Sequence, residues 1–289
     1  MTALAILGPR SRPQDLSLFQ QLLPDIKVLA LPTPAAAGDA LAHTDLALIF
    51  GGDGTLHRHL NALVAARAVT LPVPSGSGND FAADNGIRSA EDAAALLRDF
   101  LAGKVAPRQA DLGLIRTADA TQHFSCCANV GLDADATRRA NALPAWLKAR
   151  SGYLLGGLAA ILRYQPQRLI VTSNGQTMLD AHAWFVAVTN TPIYGGGLPI
   201  APQASIFDAQ LDVTCLRPTP RWNVVRHYPK IMTGAHVHLP EILAFRATQV
   251  RIVTEQPQPI YSDGDYVGLT PCDITVAPAA LRVLARAAA

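Results

Sequence analysis

The chain has 289 residues, of which 49% are hydrophobic and 16% charged, so we expect a globular protein with a sizeable core rather than a disordered one. The formal net charge of +2 gives no bulk attraction to nucleic acid, and no nucleic-acid partner is expected. The length fits two domains better than one. The most apolar stretch, residues 153–164, is too short to cross a bilayer, so no transmembrane segment is expected.

The N-terminal residues 1–8 lack the basic start and the long apolar run of a signal peptide, and they are predicted to form the first strand. The cysteines show no metal-binding spacing, which argues against a zinc site or a disulfide framework. Their positions are Cys126, Cys127, Cys215 and Cys272. A reducing, cytoplasmic location is therefore predicted.

Apolar runs and amphipathic segments alternate over residues 1–112. Strands are predicted at 4–7, 26–31, 46–50 and 71–73, and helices at 15–23, 35–43, 55–66 and 89–102. Ser89 and Asp92 have the spacing of a capping box at the start of the last helix. This alternation predicts an α/β domain with a mostly parallel sheet.

The pattern changes after Ala110, where apolar runs are separated by Gly, Pro, Asn and Asp. Strands are predicted at 124–129, 168–173, 184–189, 211–216, 249–254 and 273–277, with one or two helices at 133–164 and 221–233. This spacing predicts a second, antiparallel β-rich domain over residues 113–289. Roughly the last ten residues are candidates for packing back on the first domain.

A glycine-rich turn, Gly51-Gly52-Asp53-Gly54-Thr55, follows the buried strand at 46–50 and opens a helical segment. Glycines there would allow positive φ angles and close approach to a ligand. The amides and dipole of a helix N-terminus favour phosphate. A carboxylate at Asp53 suits such a site if Mg²⁺ stands between it and the phosphates. The alternative is a tight turn without a ligand.

A second turn of the same kind follows the strand at 71–73, with the sequence Ser75-Gly76-Ser77-Gly78-Asn79-Asp80. In open α/β sheets, ligands bind at the carboxyl ends of the strands. Two glycine-rich turns at successive strand ends are therefore expected to face one crevice.

The pair GGDGT and PSGSGNDFA resembles the diacylglycerol kinase catalytic-domain family, which includes bacterial lipid kinases and the sphingosine and ceramide kinases. The resemblance continues through Asn190-Thr191, the run at 201–213 and Asp263-Gly264-Asp265, and it ends near Arg282. It implies an N-terminal α/β domain like that of NAD kinases, a larger antiparallel β-rich domain, and an active site in the cleft between them. It also implies a lipid kinase that uses ATP and Mg²⁺ to phosphorylate a hydroxyl of a diacylglycerol-like lipid.

The resemblance assigns the ATP site to the two turns, to the start of the helix after the first turn, and to one threonine near the end of the second strand. These residues are Gly51, Gly52, Asp53, Gly54, Thr55, Leu56, His57, Arg58, Ser77, Asn79, Asp80 and Thr33. Asn79 and Asp80 have an alternative as caps of the following turn. The family commonly has Asn-Glu where this chain has His57-Arg58; Arg58 is either a bidentate phosphate ligand or a solvated residue. His57 and His59 are predicted to lie on the helix surface.

Asp263-Gly264-Asp265 stands where the family has Asp-Gly-Glu, whose second acid is the proposed general base on the lipid hydroxyl. The resemblance therefore assigns Asp265 as the catalytic base and Asp263 as its positioning or metal-linked partner. The residues alone also fit a plain hairpin turn between two strands.

A family site for a structural Mg²⁺ aligns with Asp208, and the backbone carbonyls of Ser205 and Gln210 complete the implied ligand set. Oxygen ligands suit this ion. The glycine that follows the aspartate in the family is Ala209 here, so a plain turn aspartate remains the alternative.

A basic segment at 138–150 contains Trp146 and has two interpretations: docking on anionic lipid, or a solvated face beside a buried helix. The implied partner is a lipid substrate at a membrane surface, with the protein free in the cytoplasm or peripheral at the inner membrane face. The oligomeric state stays open, a homodimer being one option. Two competing functions remain: a soluble-substrate kinase of the NAD-kinase type, and a nucleotide-binding regulatory module without catalysis.

Overall fold

The computed structural model describes residues 1–76, 78–142 and 150–286, and for residues 142 and 150–156 only the backbone. The chain forms two compact units. Unit 1 comprises Met1–Leu112 together with the residues from Pro278 onward, and unit 2 comprises Gly113–Ala277.

Unit 1 is built on a parallel sheet. Its strands, numbered in chain order, are β1 (Ala3–Leu7), β2 (Lys27–Ala30), β3 (Leu46–Gly51) and β4 (Val69–Pro74), arranged β2-β1-β3-β4. Val283, at the end of the last strand β16 (Cys272–Val283), pairs in parallel with Thr70 of β4. β3 and β4 are buried along almost their whole length because helices cover both faces of such a sheet.

In the described part of unit 1, three helices connect these strands and two more follow β4. They are α1 (Pro13–Leu22), α2 (Pro34–Leu41), α3 (Asp53–Ala66), α4 (Asp80–Asp84) and α5 (Ala90–Leu101). Ser89 caps α5 by accepting a hydrogen bond from the amide of Asp92, as predicted. Phe19 of α1 meets Phe50 of β3 edge to face in the core, with ring centroids 5.1 Å apart.

Unit 2 contains two antiparallel sheets. The strands of the first are β7 (Cys127–Gly131), β10 (Phe185–Thr189), β11 (Leu211–Leu216), β12 (Ile242–Ala247), β14 (Pro259–Ser262) and β15 (Asp265–Leu269), in the order β12-β11-β10-β7-β14-β15. The other strands are β5 (Arg108–Arg116), β6 (Thr121–Phe124), β8 (Gln167–Ser173), β9 (Gln176–Ala183), β13 (Gln249–Thr254) and the first part of β16. One apolar core includes Val130 and Val186 from the first sheet and Val171 and Ile252 from the second, which makes a sandwich.

A separate apolar cluster in unit 2 involves the helices α6 (Leu132–Ala142), α7 (Arg150–Arg163) and α8 (Arg221–His227). Two 3₁₀ turns, Tyr228–Thr233 and Ala235–His238, follow α8. No helix of the described ranges is both long and apolar enough to cross a membrane.

The fold class predicted from the sequence is confirmed: an α/β domain with a mostly parallel sheet is followed by an antiparallel β-rich domain. The strands β5, β9 and β12 and the short helix α4 were not predicted, and one predicted strand is divided. The strand predicted at 124–129 is interrupted, because β6 ends at Phe124 and β7 begins at Cys127. The amides of the two intervening residues, Ser125 and Cys126, donate hydrogen bonds to the carboxylate of Asp263.

Candidate active-site residues

The carboxyl ends of four parallel strands meet at one edge of the sheet in unit 1. The register pairs Leu7 with Phe50 and Gly51 with Pro74, so the turns after β1, β3 and β4 are neighbours. Thr33 follows β2 at the same edge. This is the edge where ligands bind in open α/β sheets.

The glycines of the first turn are needed for close packing rather than for unusual backbone angles. Gly52 has φ −102°, and neither Gly51 nor Gly54 is among the positive-φ glycines of the described chain, so the turn does not adopt the positive φ angles that glycine would allow. A Cβ atom on Gly51 would lie 2.4 Å from the Cβ of Thr55. A Cβ on Gly52 would lie 2.2 Å from the carbonyl oxygen of Gly78 in the second turn.

The second turn packs directly on the first. A Cβ on Gly76 would lie 2.5 Å from the Cα of Gly52, so only glycine fits at both positions. The Asn79 side chain closes this turn: its Oδ1 accepts from the Gly76 amide at 3.0 Å, and its Nδ2 donates to the Gly76 carbonyl at 3.1 Å. Ser77, assigned to the ATP site by the resemblance, lies outside the described residues.

Asp53 joins the two turns. Its carboxylate accepts hydrogen bonds from the backbone amides of Asp80 and Phe81, at 3.0 and 3.1 Å, and its own amide donates to the Gly78 carbonyl at 3.2 Å. The carboxylate thereby caps the first turn of α4 from a different element. The two turns form one hydrogen-bonded structure at the N-terminus of α3.

Residues after the turn occupy different environments on α3. His57 and His59 are only 4% and 3% exposed, so the prediction that they lie on the helix surface is wrong. The reason is that α3 packs both on the sheet and on α2, which buries more than one face. Leu56 is buried as well, whereas Arg58 is exposed.

Thr33 and Asp80 also differ in environment. The Thr33 hydroxyl accepts a hydrogen bond from the amide of Ala36 at 3.3 Å and so caps α2. Thr33 is nevertheless exposed, at the same sheet edge as the two turns. Asp80 is the first residue of α4 and is buried, with 5% exposure.

The Asp263-Gly264-Asp265 segment is a hairpin turn in unit 2. It connects β14 to β15, and Asp263 and Gly264 both have positive φ, 46° and 91°, as in a tight two-residue turn. Gly264 suits this geometry because it has no side chain. The backbone of this segment therefore forms the hairpin turn that the residues alone predict. The hairpin does not by itself account for the two carboxylates.

The Asp263 carboxylate is saturated with hydrogen bonds. Oδ2 accepts from the amide and the hydroxyl of Ser125, at 2.7 and 2.9 Å, and Oδ1 accepts from the amides of Cys126 and Cys127, both at 2.9 Å. Ser125 and Cys126 form the break between β6 and β7, and Cys127 is the first residue of β7. Asp263 therefore holds the turn against residues 125–127.

Asp265 is held at the other end of this turn. It begins β15 and is half-buried. Asn141 of α6 donates its Nδ2 to the Gly264 carbonyl at 2.7 Å, and Asn190 donates to the Ser125 carbonyl at 3.0 Å. The sequence interpretation missed the roles of Ser125 and Asn141, and only Asn190 lay in a segment that carried the resemblance.

The predicted metal site at Ser205, Asp208 and Gln210 contains an arginine. Arg246 donates to Asp208 Oδ2 at 2.7 Å, while Asp208 Oδ1 accepts from the Gln210 amide at 3.1 Å. Ala209 adopts φ 57°, the conformation that glycine would take more readily. The same guanidinium lies 3.5 Å from Asp212 Oδ1, so Arg246 is the cation that both carboxylates contact.

No group of three or more His, Cys, Asp or Glu side chains able to hold a metal occurs in the described ranges. A half-buried acid that the sequence did not single out lies in α6: Tyr194 donates its hydroxyl to Asp133 Oδ2 at 2.8 Å. Burial raises the pKa of Asp133 to about 6. The pKa of Tyr194 is raised well above its usual value, first by burial and then by the charge of Asp133.

Two family models cover most of the chain. Residues 29–114 match the diacylglycerol kinase catalytic domain, and residues 126–285 match the YegS C-terminal NAD kinase beta sandwich-like domain. The chain belongs to the diacylglycerol kinase family. Its curated relatives place this family among the lipid kinases.

Diacylglycerol kinase from Mycobacterium tuberculosis is 32% identical to this chain over 244 residues. The match covers 83% of this chain and 77% of the relative. Diacylglycerol kinase from Bacillus subtilis is 27% identical over 244 residues, with the same coverage. The crystal structure of a Bacillus anthracis diacylglycerol kinase superposes with a TM-score of 0.71 over 99% of this chain and 97% of that one, at 19% identity. That likeness is one of fold.

Proposed function

We propose that this member of the family transfers the γ-phosphoryl group of ATP to a hydroxyl of a diacylglycerol-like lipid. The observation that carries the proposal is the paired turn structure held by Asp53 at the sheet edge in unit 1. It lies where α3, a helix of 14 residues, begins, and the dipole of such a helix favours phosphate. Gly51–Arg58, Asn79 and Asp80 are proposed to form the nucleotide site, with Thr33 at the end of β2.

Mg²⁺ is proposed to accompany ATP and to neutralise charge on the β- and γ-phosphate oxygens. This ion is usually held by substrate phosphates, waters and only one or two carboxylates, which is compatible with a chain whose described part has no acidic cluster. Asp208 is not proposed as a ligand, because its carboxylate accepts a hydrogen bond from Arg246.

Asp265 is proposed as the general base. The lipid hydroxyl loses its proton to the Asp265 carboxylate, its oxygen bonds to the γ-phosphorus, and the bond from that phosphorus to ADP breaks. The contrast between the two acids supports this assignment, since Asp263 is saturated by four donors whereas Asp265 is half-buried at the start of β15. Asp263 would act only by holding the turn.

The test is transfer of label from γ-labelled ATP, with Mg²⁺, to a lipid panel in mixed micelles. The panel contains diacylglycerol, monoacylglycerol, phosphatidylglycerol and ceramide, and NAD is the soluble control. Label is expected in a diacylglycerol-like product. Label in NAD alone would show a soluble-substrate kinase, and ATP binding without turnover on any acceptor would show a regulatory module.

Replacement of Asp265 tests the base. Asp265→Asn is expected to lower kcat by about 10²–10⁴-fold, the usual contribution of a general base. Asp265→Glu, which installs the residue common in the family, is expected to keep most activity. Asp273→Asn, a matched change at an exposed ion pair of the same unit, should leave kcat unchanged. Full activity of a folded Asp265→Asn protein would refute this role.

A further inference from the structure

A tryptophan on unit 2 is left outside the apolar core. Trp222, in α8, is 70% exposed, the largest exposed fraction of any large hydrophobic residue in the described chain. Arg226 lies one turn further along the same face, and Lys230 follows four residues later. Val224, on the opposite face, is buried in the helical cluster. The core contacts of α8 are therefore made by the other side of the helix.

The end of α7 extends this exposed face. Arg221 Nη2 donates to the Tyr164 carbonyl at 2.7 Å, which places the start of α8 beside the end of α7. Leu162 there is 54% exposed, and Arg163 is exposed as well. We call Leu162, Arg163, Trp222, Arg226 and Lys230 the Trp222 surface.

This part of the chain has a strong local charge bias. Residues 213–240 contain four Lys or Arg residues and no Asp or Glu, although the whole chain has 24 Lys and Arg against 22 Asp and Glu. In the described ranges, Arg163, Arg226 and Lys230 take part in no ion pair. Their charges are therefore available to an anionic partner.

We propose that the Trp222 surface docks unit 2 on a bilayer that contains anionic headgroups. Tryptophan is favoured at the boundary between headgroups and acyl chains, and flanking cations are attracted to an anionic leaflet. The proposal rests on the proposed function, because a diacylglycerol-like acceptor resides in a membrane. It assigns this contact to α8 and the end of α7; residues 143–149 of the basic segment at 138–150 lie outside the described residues.

The composition of the surface selects a membrane over a second copy of the chain. Its exposed apolar residues are one tryptophan and one leucine. Their surface is far smaller than the roughly 1,600 Å² that a typical stable interface buries. A self-complementary contact would also bring the three unpaired cations close to their copies. An anionic bilayer requires only shallow insertion of Trp222 and offers negative charge to each cation.

Sedimentation of the full chain with phosphatidylcholine vesicles, with and without phosphatidylglycerol, tests the proposal in the absence of ATP. Binding is expected only to the vesicles with phosphatidylglycerol. Arg226→Gln/Lys230→Gln is expected to weaken it by about 25-fold, about fivefold for each cation. Trp222→Ala should weaken it by about tenfold. Lys27→Gln/Lys104→Gln, the matched charge change on unit 1, should have little effect.

Contact depth gives a second measurement. Brominated acyl chains are expected to quench tryptophan fluorescence of the wild type, and Trp222→Phe should remove most of that quenching. Three results would each overturn the proposal. The first is unchanged quenching in Trp222→Phe, and the second is an equal loss of vesicle binding in Arg226→Gln/Lys230→Gln and Lys27→Gln/Lys104→Gln. The third is a Trp222-dependent dimer in sedimentation velocity. Activity on a short-chain, water-soluble diacylglycerol should be equal in the wild type and the surface variants. Its absence in all of them would contradict the proposed function and leave the vesicle result standing.

Discussion

Asp133 offers a sharp test of how burial controls protonation in unit 2. It lies in the first turn of α6, and its Oδ2 accepts the Tyr194 hydroxyl at 2.8 Å. Asp133 is half-buried. Burial raises its pKa from 3.8 to about 6, and the Tyr194 hydrogen bond offsets only part of that rise.

The sign of the effect follows from proton binding. Between about pH 4 and pH 6 the folded protein holds a proton that the unfolded chain has lost, so this group's contribution to stability is complete below about pH 4. It is lost as the pH rises to about 6. Each pKa unit corresponds to about 1.4 kcal/mol, so the loss amounts to about 3 kcal/mol of unfolding free energy.

Asp133→Asn removes this dependence, because an amide is neutral at every pH and its oxygen can still accept from Tyr194. The unfolding free energy of the variant minus that of the wild type is expected to increase by about 2.4 kcal/mol between pH 4 and pH 7. Urea denaturation followed by circular dichroism measures it. Burial also raises the pKa of Asp84 in unit 1 to about 6. The contribution of Asp84 to the pH dependence is the same in both proteins, so it cancels in the difference.

Tyr194→Phe is the matched control. It removes the hydroxyl that stabilises the charged form, so the pKa of Asp133 should rise further and the pH dependence should extend above pH 6. A difference between Asp133→Asn and the wild type that stays constant from pH 4 to pH 7 would refute the reasoning.

Three further predictions follow from the hydrogen bonds of other carboxylates. Asp53→Ala should lower the unfolding free energy by about 2–4 kcal/mol in urea denaturation, because two charge-assisted bonds to backbone amides are lost; a change below 0.5 kcal/mol would contradict its role between the turns. Asp263→Asn should cost about 3 kcal/mol by the same measurement, since an NH₂ group must face an amide donor, while Asp273→Asn should cost little. Arg246→Met should make the Tm rise on addition of Mg²⁺, whereas the wild-type Tm should not respond; equal responses would contradict the assignment of Arg246 as the cation at Asp208.

Short sequence patterns predicted the ends of strands and the starts of helices, which depend on local interactions. The run that became β3, followed by Gly51-Gly52, marked a strand end, and Ser89 with Asp92 marked a helix start, because each depends on residues only a few positions apart. The residues alone also located both glycine-rich turns. The resemblance added their assignment to an ATP site and that of Asp263 and Asp265 to catalysis.

Side-chain contacts between distant segments were not predictable. Asp263 accepts hydrogen bonds from residues up to 138 positions away, and Arg246 reaches Asp208 across 38 positions. No periodicity encodes such pairs. The burial of His59 was missed for a related reason: helical spacing identifies the main apolar face of α3, but whether a second face is covered depends on where α2 packs.

The course of the last strand has a consequence for biosynthesis. Unit 1 is encoded in two pieces, and its second piece contributes the pairing of Val283 with Thr70, the Leu284 amide bond to the Thr70 carbonyl, and the ion pair of Arg286 with Asp92. These contacts cannot form until all of unit 2 has been translated. The nascent α/β fold would therefore leave the ribosome with β4 as an unprotected sheet edge, exposed to aggregation or chaperone binding until the final residues emerge.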